Sequence, residues 1–385
     1  MMLLFWPASV TPTGAAQQLR QALEQVQLDG ATLTLPQAMA RDHVPGISIA
    51  LIDDYQIAGT LADGYKQSGQ SEPITPHTLI QAASLSKSVA AATAMKLVQL
   101  KRMSLDDDVD RELKSWHLSE YSPDPQRKLT LRELLNMTAG INLSGFSGYP
   151  PNQPLPTLVE ILNGQPPATS APIQAVAPPG QRYAYSGGGY EIMEQLIEDI
   201  TGRRFADITK ELILRPAGMR HSYFVQPLPP QLAKQAACGH LEDGQPLEGQ
   251  WRVFPELAAA GLWSTPADLA RFVIAMMNAY RGTSGAMLDQ ASATEMLTLP
   301  DNGFYGLGLV VRGTGRTLHF LKQGHNAGYQ NWMIGFPNTG QGAVVMTNSD
   351  AGSPLAQAVV NALAQAFAWP PLEQLEDGMF TSPHP

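Results

Sequence analysis

The chain has 385 residues, 44% of them hydrophobic, which is enough for two lobes around sizeable cores and too apolar for a disordered protein. Its 34 acidic residues outnumber 25 basic ones for a formal net charge of −9, so nucleic acid and anionic membrane are poor partners. Charged residues make up only 15%, whereas Gly (34) and Pro (31) are plentiful, which points to many turns and long ordered connections.

The first ten residues are apolar but have no Lys or Arg ahead of them and are interrupted by Pro7; they are too short to span a bilayer and are at best the remnant of a signal sequence. No other stretch approaches spanning length without charge, so a soluble protein without membrane insertion is expected, cytoplasmic or periplasmic. Residues 17–28 and 35–42 read as short amphipathic helices. Alternation at Ile47, Ile49 and Leu51, followed by a turn at Asp53-Asp54, predicts a hairpin. A long alanine-rich helix follows over 84–102. A shorter one over 129–137 carries Thr130 as N-cap and Glu133 three residues later, a capping box.

Residues 145–180 are rich in Pro and Gly and read as an irregular surface excursion. The apolar spacing over 190–200 predicts a helix stopped by Gly202, and Thr265-Pro266 opens another. From 304 to 348 short extended runs (305–311, 317–321, 329–336 and 343–347) alternate with turns, an antiparallel meander. An amphipathic helix over 354–369 closes the chain. The expected fold is therefore mixed α/β (α+β): a central antiparallel sheet from both chain ends flanked by helices, with an inserted, mainly helical lobe. The expected division is an extension and helix over 1–28, a sheet lobe of 29–83 plus 300–370, a helical lobe of 84–299 and a tail of 371–385. A cleft should lie at the lobe boundary, near Ser84.

Ser84-Leu85-Ser86-Lys87 places a hydroxyl and an amine about one helical turn apart, so Lys87 can take the proton of Ser84. A free lysine, with a pKa of roughly 10.4, is useless as a base near neutrality, and burial is what lowers it. No Asp or Glu occurs from Pro73 to Leu105, and Ala82, Ala83, Val89, Ala90, Ala91 and Ala92 offer an apolar wall. By itself the segment suits equally well a buried helix capped by Ser84, with Lys87 reaching out to water. Tyr185-Ser186-Gly187-Gly188-Gly189 leaves bare backbone beside a phenol, which allows close approach of a substrate or of another part of the chain; alone it reads as a flexible loop. Gly324-His325-Asn326-Ala327-Gly328 alone reads as a hairpin turn with an exposed histidine. Scattered histidines and the single Cys238 offer no metal site, no cofactor is implied, and Cys238 excludes an intramolecular disulfide. Gly-x-Ser-x-Gly is absent, which weakens an α/β-hydrolase reading.

Taken together in order and spacing, Ser84-x-x-Lys87, Tyr185-Ser186-Gly187 and His325-Asn326-Ala327 resemble the serine β-lactamase and penicillin-binding-protein superfamily, in its class C-like, family VIII carboxylesterase and D-aminopeptidase branches. Leu134-Leu135-Asn136-Met137-Thr138-Ala139-Gly140 is similar to the family's Leu-Leu-x-His-Thr-Ser-Gly, and residues 261–269 and 305–308 agree as well. The resemblance implies Ser84 as acylated nucleophile and Lys87 as its proton acceptor. It implies Tyr185 as partner acid or base, titrating as a pair with a lysine whose charge lowers the phenol. It also implies an oxyanion hole from the backbone N–H groups of Ser84 and Gly328, with Gly187, His325 and Asn326 facing substrate.

Two departures bear on substrate. Gly187 stands where many relatives have Asn, and His325-Asn326-Ala327 is set against the Lys-Thr-Gly of β-lactamases; both point away from efficient β-lactam hydrolysis. Met137 for His reads as a packing swap. The expected function is a serine hydrolase working through an acyl-enzyme, first a carboxylesterase on small esters, its partner a small ester or short amide. A D-amino-acid peptidase, a weak β-lactamase, an acyltransferase using the same residues, and a binding module without turnover are the alternatives. The intact Ser84, Lys87 and Tyr185 argue against the last. The sequence gives no oligomeric state.

Overall fold

In the computed structural model, residues 14–118, 128–300 and 303–372 are described; the apolar first ten residues and most of the 371–385 tail lie outside that set. Eleven strands are present among the described residues: β1 (Val26–Leu28), β2 (Ala31–Leu33), β3 (Gly46–Asp53), β4 (Gln56–Gly64), β5 (Ile80–Gln81), β6 (Tyr223–Phe224), β7 (Leu262–Ser264), β8 (Val310–Arg312), β9 (His319–Asn326), β10 (Tyr329–Phe336) and β11 (Gln341–Thr347). Six of them form one antiparallel sheet in the order β4-β3-β11-β10-β9-β8, so the N-terminal hairpin and the C-terminal meander pair through β3 and β11, with Ile49 opposite Val345. The α/β fold with a central antiparallel sheet made from both chain ends is as the sequence implies.

The hairpin expected from the alternation at Ile47, Ile49 and Leu51 is present as β3 and β4. Ser48, Ala50 and Ile52 on the other face are also fully buried, because helices cover both sides of the sheet. The helices Pro266–Tyr280 and Gly352–Ala366 pack on the sheet, and Gly14–Ala22 packs on β4 and on the terminal helix. The stretch expected to be helical to residue 28 stops at Ala22 and turns into the β1-β2 ribbon.

Local chemistry accounts for several helix boundaries. Thr130 accepts the Glu133 N–H while the Glu133 side chain takes the Thr130 N–H, and Thr265 caps Pro266–Tyr280 with Pro at its first turn. Gly188–Thr201 ends at Gly202 with φ 66°. Within 145–180 the expected irregular chain is broken by one short helix, Leu158–Asn163, with its own Thr157/Glu160 capping box. Of the extended run expected over 305–311 only Val310–Arg312 is strand, since Gly306 to Gly308 turn the chain back. A second small sheet, β5-β7-β6, lies where Ala82 N–H donates to Leu262 O at 2.8 Å. It carries the chain into the helix that begins after Ser84. Among the described residues no helix is long and apolar enough to cross a membrane.

Candidate active site

The helix Leu85–Gln99 is built from small and apolar residues, and twelve of its residues are buried. Its many small Ala and Ser side chains let neighbouring elements pack on nearly every face at close range. Its entrance is constrained: Ala83 has φ 53°, a left-handed conformation unfavourable for a side-chain-bearing residue, just before Ser84. Ser86 Oγ donates to Ala83 O at 2.5 Å and accepts Leu262 N–H at 3.1 Å, which ties this turn to β7. The Ser84 side chain makes no capping bond to its own helix, and Lys87 is 1% exposed. The alternative of a capping serine with a lysine reaching to water is thereby excluded.

Lys87 Nζ lies 3.1 Å from Ser84 Oγ and donates to Ala259 O at 2.8 Å. Burial lowers its pKa to about 7, opposed by the nearby Glu191 carboxyl. That carboxyl is an addition from the structure. No acid is near in sequence, but the helix Gly188–Thr201 brings Glu191 to this lysine without an ion pair between them. The Nζ also stands 5.1 Å from the Tyr185 ring centroid and 5.8 Å from that of Tyr190.

Tyr185 completes the cluster. The residue is half-buried, and desolvation pushes the phenol well above its ordinary range, offset in part by a hydrogen bond with Ser84. The sequence expectation of a phenol lowered by a lysine charge is corrected: with Lys87 half neutral at pH 7, desolvation dominates and Tyr185 rests as the O–H donor. Met137, taken as a packing swap, does more. At φ 63° it accepts the Ala184 N–H on its carbonyl (2.8 Å) and the Ser186 N–H on its sulfur (3.3 Å), holding the tyrosine loop from both sides.

The glycines that follow serve the chain's own approach. Gly187 and Gly188 N–H groups donate to Leu143 O at 2.8 and 3.0 Å, and a Cβ on Gly188 would meet Asn142 O at 2.8 Å. At Gly187 a Cβ would stand 3.0 Å from the Phe146 ring, so an aromatic side chain from the 145–180 excursion fills the space beside this position.

On β9 the structure redistributes the expected roles. Lys322, which the sequence reading passed over, is 1% exposed and donates from Nζ to Tyr185 Oη at 3.1 Å. Burial, with Lys87 close by, lowers its amine well below the ordinary range. Lys322-Gln323-Gly324, three residues earlier than His325-Asn326-Ala327, therefore holds the place that the Lys-Thr-Gly comparison gave to the later triplet. The Lys-x-Gly spacing itself was the available signal. Gly324 is the closest approach: a Cβ there would lie 3.0 Å from the Ser84 nitrogen and 2.6 Å from Ala82 O.

The remaining residues expected at the site are placed differently. The His325 side chain is exposed and paired to Asp350, Nε2 to Oδ1 at 3.1 Å. Asn326 is buried and donates to Gln81 Oε1 (2.8 Å) and Ala260 O (3.2 Å), joining β9 to β5. Gly328 cannot be an open oxyanion donor, because its N–H already donates to Asp350 Oδ1 at 2.7 Å. Asn326 and Tyr329 close a two-residue turn, so His325 opposite Gln330 falls in the pair that exchanges no backbone bonds. Its N–H points away from β10, toward the edge where Gly324 meets Ser84. Among the described residues no group of acids, histidines and cysteines is arranged to hold a metal ion.

Residues 32–366 match the family model described as Beta-lactamase. The chain is similar to protein flp of Staphylococcus aureus (strain MRSA252), 24% identical over 233 residues, covering 60% of this chain and 43% of that relative. The match thus spans less than half the length of that curated protein. It is also similar to a putative D-alanyl-D-alanine carboxypeptidase of Salmonella agona (strain SL483), 23% identical over 354 residues, covering 82% of this chain and 81% of the relative. Among solved structures, the octameric penicillin-binding protein homologue from Pyrococcus abyssi superposes with a TM-score of 0.69 at 26% identity, covering 87% of this chain and 76% of that one.

Proposed function

Because the chain belongs to the Beta-lactamase family, whose fold is that of serine hydrolases, we propose that it hydrolyses small esters through an acyl-enzyme on Ser84, with Lys87 as base and Tyr185 as proton donor. One observation carries this reading: an amine with a pKa of about 7, buried and without an ion pair, stands 3.1 Å from the hydroxyl it must deprotonate.

In acylation, Lys87 Nζ takes the Ser84 proton as Oγ attacks the carbonyl carbon, and the carbonyl electron pair moves onto oxygen. That oxyanion is received by the N–H groups of Ser84 and His325; losing one such donor raises a barrier by roughly 3 to 4 kcal/mol. Tyr185 Oη passes its proton to the leaving oxygen as the carbon–oxygen bond breaks. The phenolate left behind faces Lys322 Nζ at 3.1 Å and the newly formed Lys87 ammonium. Water then attacks the ester of Ser84, and the protons run in reverse.

Gly187 and Phe146 bear on substrate preference. The position offers no side-chain amide for an acyl-amide carbonyl and presents an aromatic ring, which suits an ester with an apolar acyl group. Hydrolysis of D-amino-acid amides or peptides is the second reading. It is favoured by the protonated phenol, which suits an amine leaving group, and by the similarity to a putative carboxypeptidase. A lysine is not missing from the cleft, so the sequence-based reason for discounting β-lactams is weakened; Lys322, however, is buried and desolvated, a poor anchor for a carboxylate.

The test is a profile of the purified protein against p-nitrophenyl esters, D-amino amides and a chromogenic cephalosporin, with Ser84→Ala alongside. The expected result is turnover of esters first, and loss of both turnover and fluorophosphonate labelling in the variant. Labelling retained at another serine would overturn the assignment; a preference for D-amino amides would select the second reading.

A further inference from the structure

Three glutamates are buried beneath the Ser84 and Lys87 pair: Glu191 and Glu194 on the helix Gly188–Thr201, and Glu256 just before the single turn Leu257–Ala260. They are 0%, 3% and 1% exposed. Glu194 Oε2 accepts the Ala258 N–H at 2.7 Å and Glu191 Oε1 accepts the Ala259 N–H at 3.1 Å. The carbonyl of the same Ala259 accepts from Lys87 Nζ at 2.8 Å. A continuous line of contacts thus runs from Glu191 through Ala259 to Lys87 and on to Ser84 Oγ.

Resting on the acyl-enzyme reading above, we propose that Glu191 is a positioning residue for acylation: by accepting the Ala259 N–H it fixes the residue whose carbonyl holds Lys87 Nζ beside Ser84. A turn of only four residues has little cohesion of its own, and its first N–H groups have no partners within it. The two carboxyl oxygens supply those partners where water does not reach. Misplacing a reacting group by about 1 Å can cost on the order of a hundredfold in rate, so a small shift of Ala259 would be felt at Ser84.

The charge on Glu191 matters as much as its place. The groups facing Lys87 are Ser84, Tyr185, Tyr190, Lys322 from β9 and Glu191, with Glu194 and Glu256 behind the last. An ionised Glu191 works against the burial of Lys87 and reduces the fraction of free amine. Burial, and the crowding of Glu194 and Glu256, push Glu191 well above the usual carboxylate range against the opposing pull of the Ala259 N–H and of Lys87, which favours the uncharged carboxyl that leaves the Lys87 amine free. Its Oε2 has no partner among the described residues.

Three variants of the full chain test this, read by the second-order rate of fluorophosphonate labelling against pH. Glu191→Gln keeps an uncharged acceptor for the Ala259 N–H; labelling is expected within about threefold of wild type, with the acidic limb unmoved. Glu191→Leu removes the acceptor and is expected to slow labelling by at least about tenfold. Should Glu191→Leu fail to fold, Glu191→Asn, one methylene too short to reach, is expected to show the same loss. A merely structural role would lower the thermal midpoint without rescue of the rate by glutamine. Wild-type labelling in the folded leucine or asparagine variant overturns the proposal. So does a glutamine variant as slow as leucine, or one whose acidic limb falls by about a full pH unit. Ser84→Ala separates the two readings: if it still labels, the acyl-enzyme assignment fails, whereas if it does not and Glu191→Leu is unaffected, only the positioning role fails.

Discussion

The proposed base, Lys87, is testable by its titration, because burial shifts Lys87 down and Tyr185 up. At pH 7 about half of Lys87 is free amine, against roughly one in three thousand for a lysine at its ordinary value of 10.5. Burial therefore raises the competent fraction by on the order of a thousandfold. The assay is kcat/KM for a p-nitrophenyl ester, or the fluorophosphonate rate, between about pH 5 and pH 10. Below pH 7 the rate should fall about tenfold per pH unit, and above about pH 8 it should be flat. No fall should appear on the alkaline side of this range, since desolvation keeps the Tyr185 proton in place. Lys87→Arg, which stays charged throughout, should lower the plateau by on the order of a hundredfold to ten-thousandfold and abolish the acidic limb. An acidic limb at pH 9 or above would mean that the lysine titrates as if exposed. A bell falling below pH 9 would mean a phenol lowered by a neighbouring charge. Either result refutes the account of the pair.

Lys87→Met should remove activity yet stabilise the fold at neutral pH. The unfolded chain holds that ammonium to about pH 10 while the folded chain sheds it near 7, so between them the unfolded state binds more protons and wild-type stability suffers. The relief is on the order of 4 kcal/mol at pH 7, reduced by about 1 to 3 kcal/mol for the Ala259 carbonyl left without its donor. Urea unfolding should show the gap closing toward pH 10. His325→Ala should retain activity within about threefold, because only its backbone N–H is asked to act; a hundredfold loss of kcat would return the imidazole to the mechanism. Lys322→Met should slow esters of poor leaving groups more than p-nitrophenyl esters, because it removes the donor facing the phenolate of Tyr185. Equal loss across a leaving-group series would deny Lys322 that role. Gly187→Asn alone must displace Phe146 and should lower ester turnover, whereas Gly187→Asn with Phe146→Ala should raise the amide-to-ester ratio. An unchanged ratio in the double variant would dismiss Phe146 as a determinant of substrate.

What the sequence made legible follows from the range over which its signals act. Helix boundaries marked by local caps, Thr130 with Glu133 and Thr265 with Pro266, could be read because cap and capped group lie within one turn. Ser84, Lys87 and Tyr185 were readable by motif and spacing, and in the structure their functional atoms do meet. Strands β5, β6 and β7, of two or three residues, carry no period and were invisible. Glu191 was hidden for a different reason: the window from Pro73 to Leu105 is free of acids, but burial collects groups by space, and the helix Gly188–Thr201 delivers a carboxyl about a hundred residues away.

The misreading on β9 is the most instructive, because it is one of register. Side chains of a strand alternate with a period of two, so assigning the Lys-Thr-Gly place to His325 rather than to Lys322, three residues earlier, exchanges the faces of the strand. The face of Lys322, Gly324 and Asn326 turns inward, and that of His325 turns out to Asp350. The turn that fixes this register is itself fastened by Asp350, which takes the Gly328 N–H and the His325 imidazole together. The histidine and the glycine singled out from sequence thus serve the strand by anchoring its end, while the lysine overlooked beside them points at the phenol. The oxyanion donor proposed at the backbone of His325 rests on the same geometry that turns its side chain to Asp350: N–H direction and side-chain face both follow from the pairing of β9 with β10.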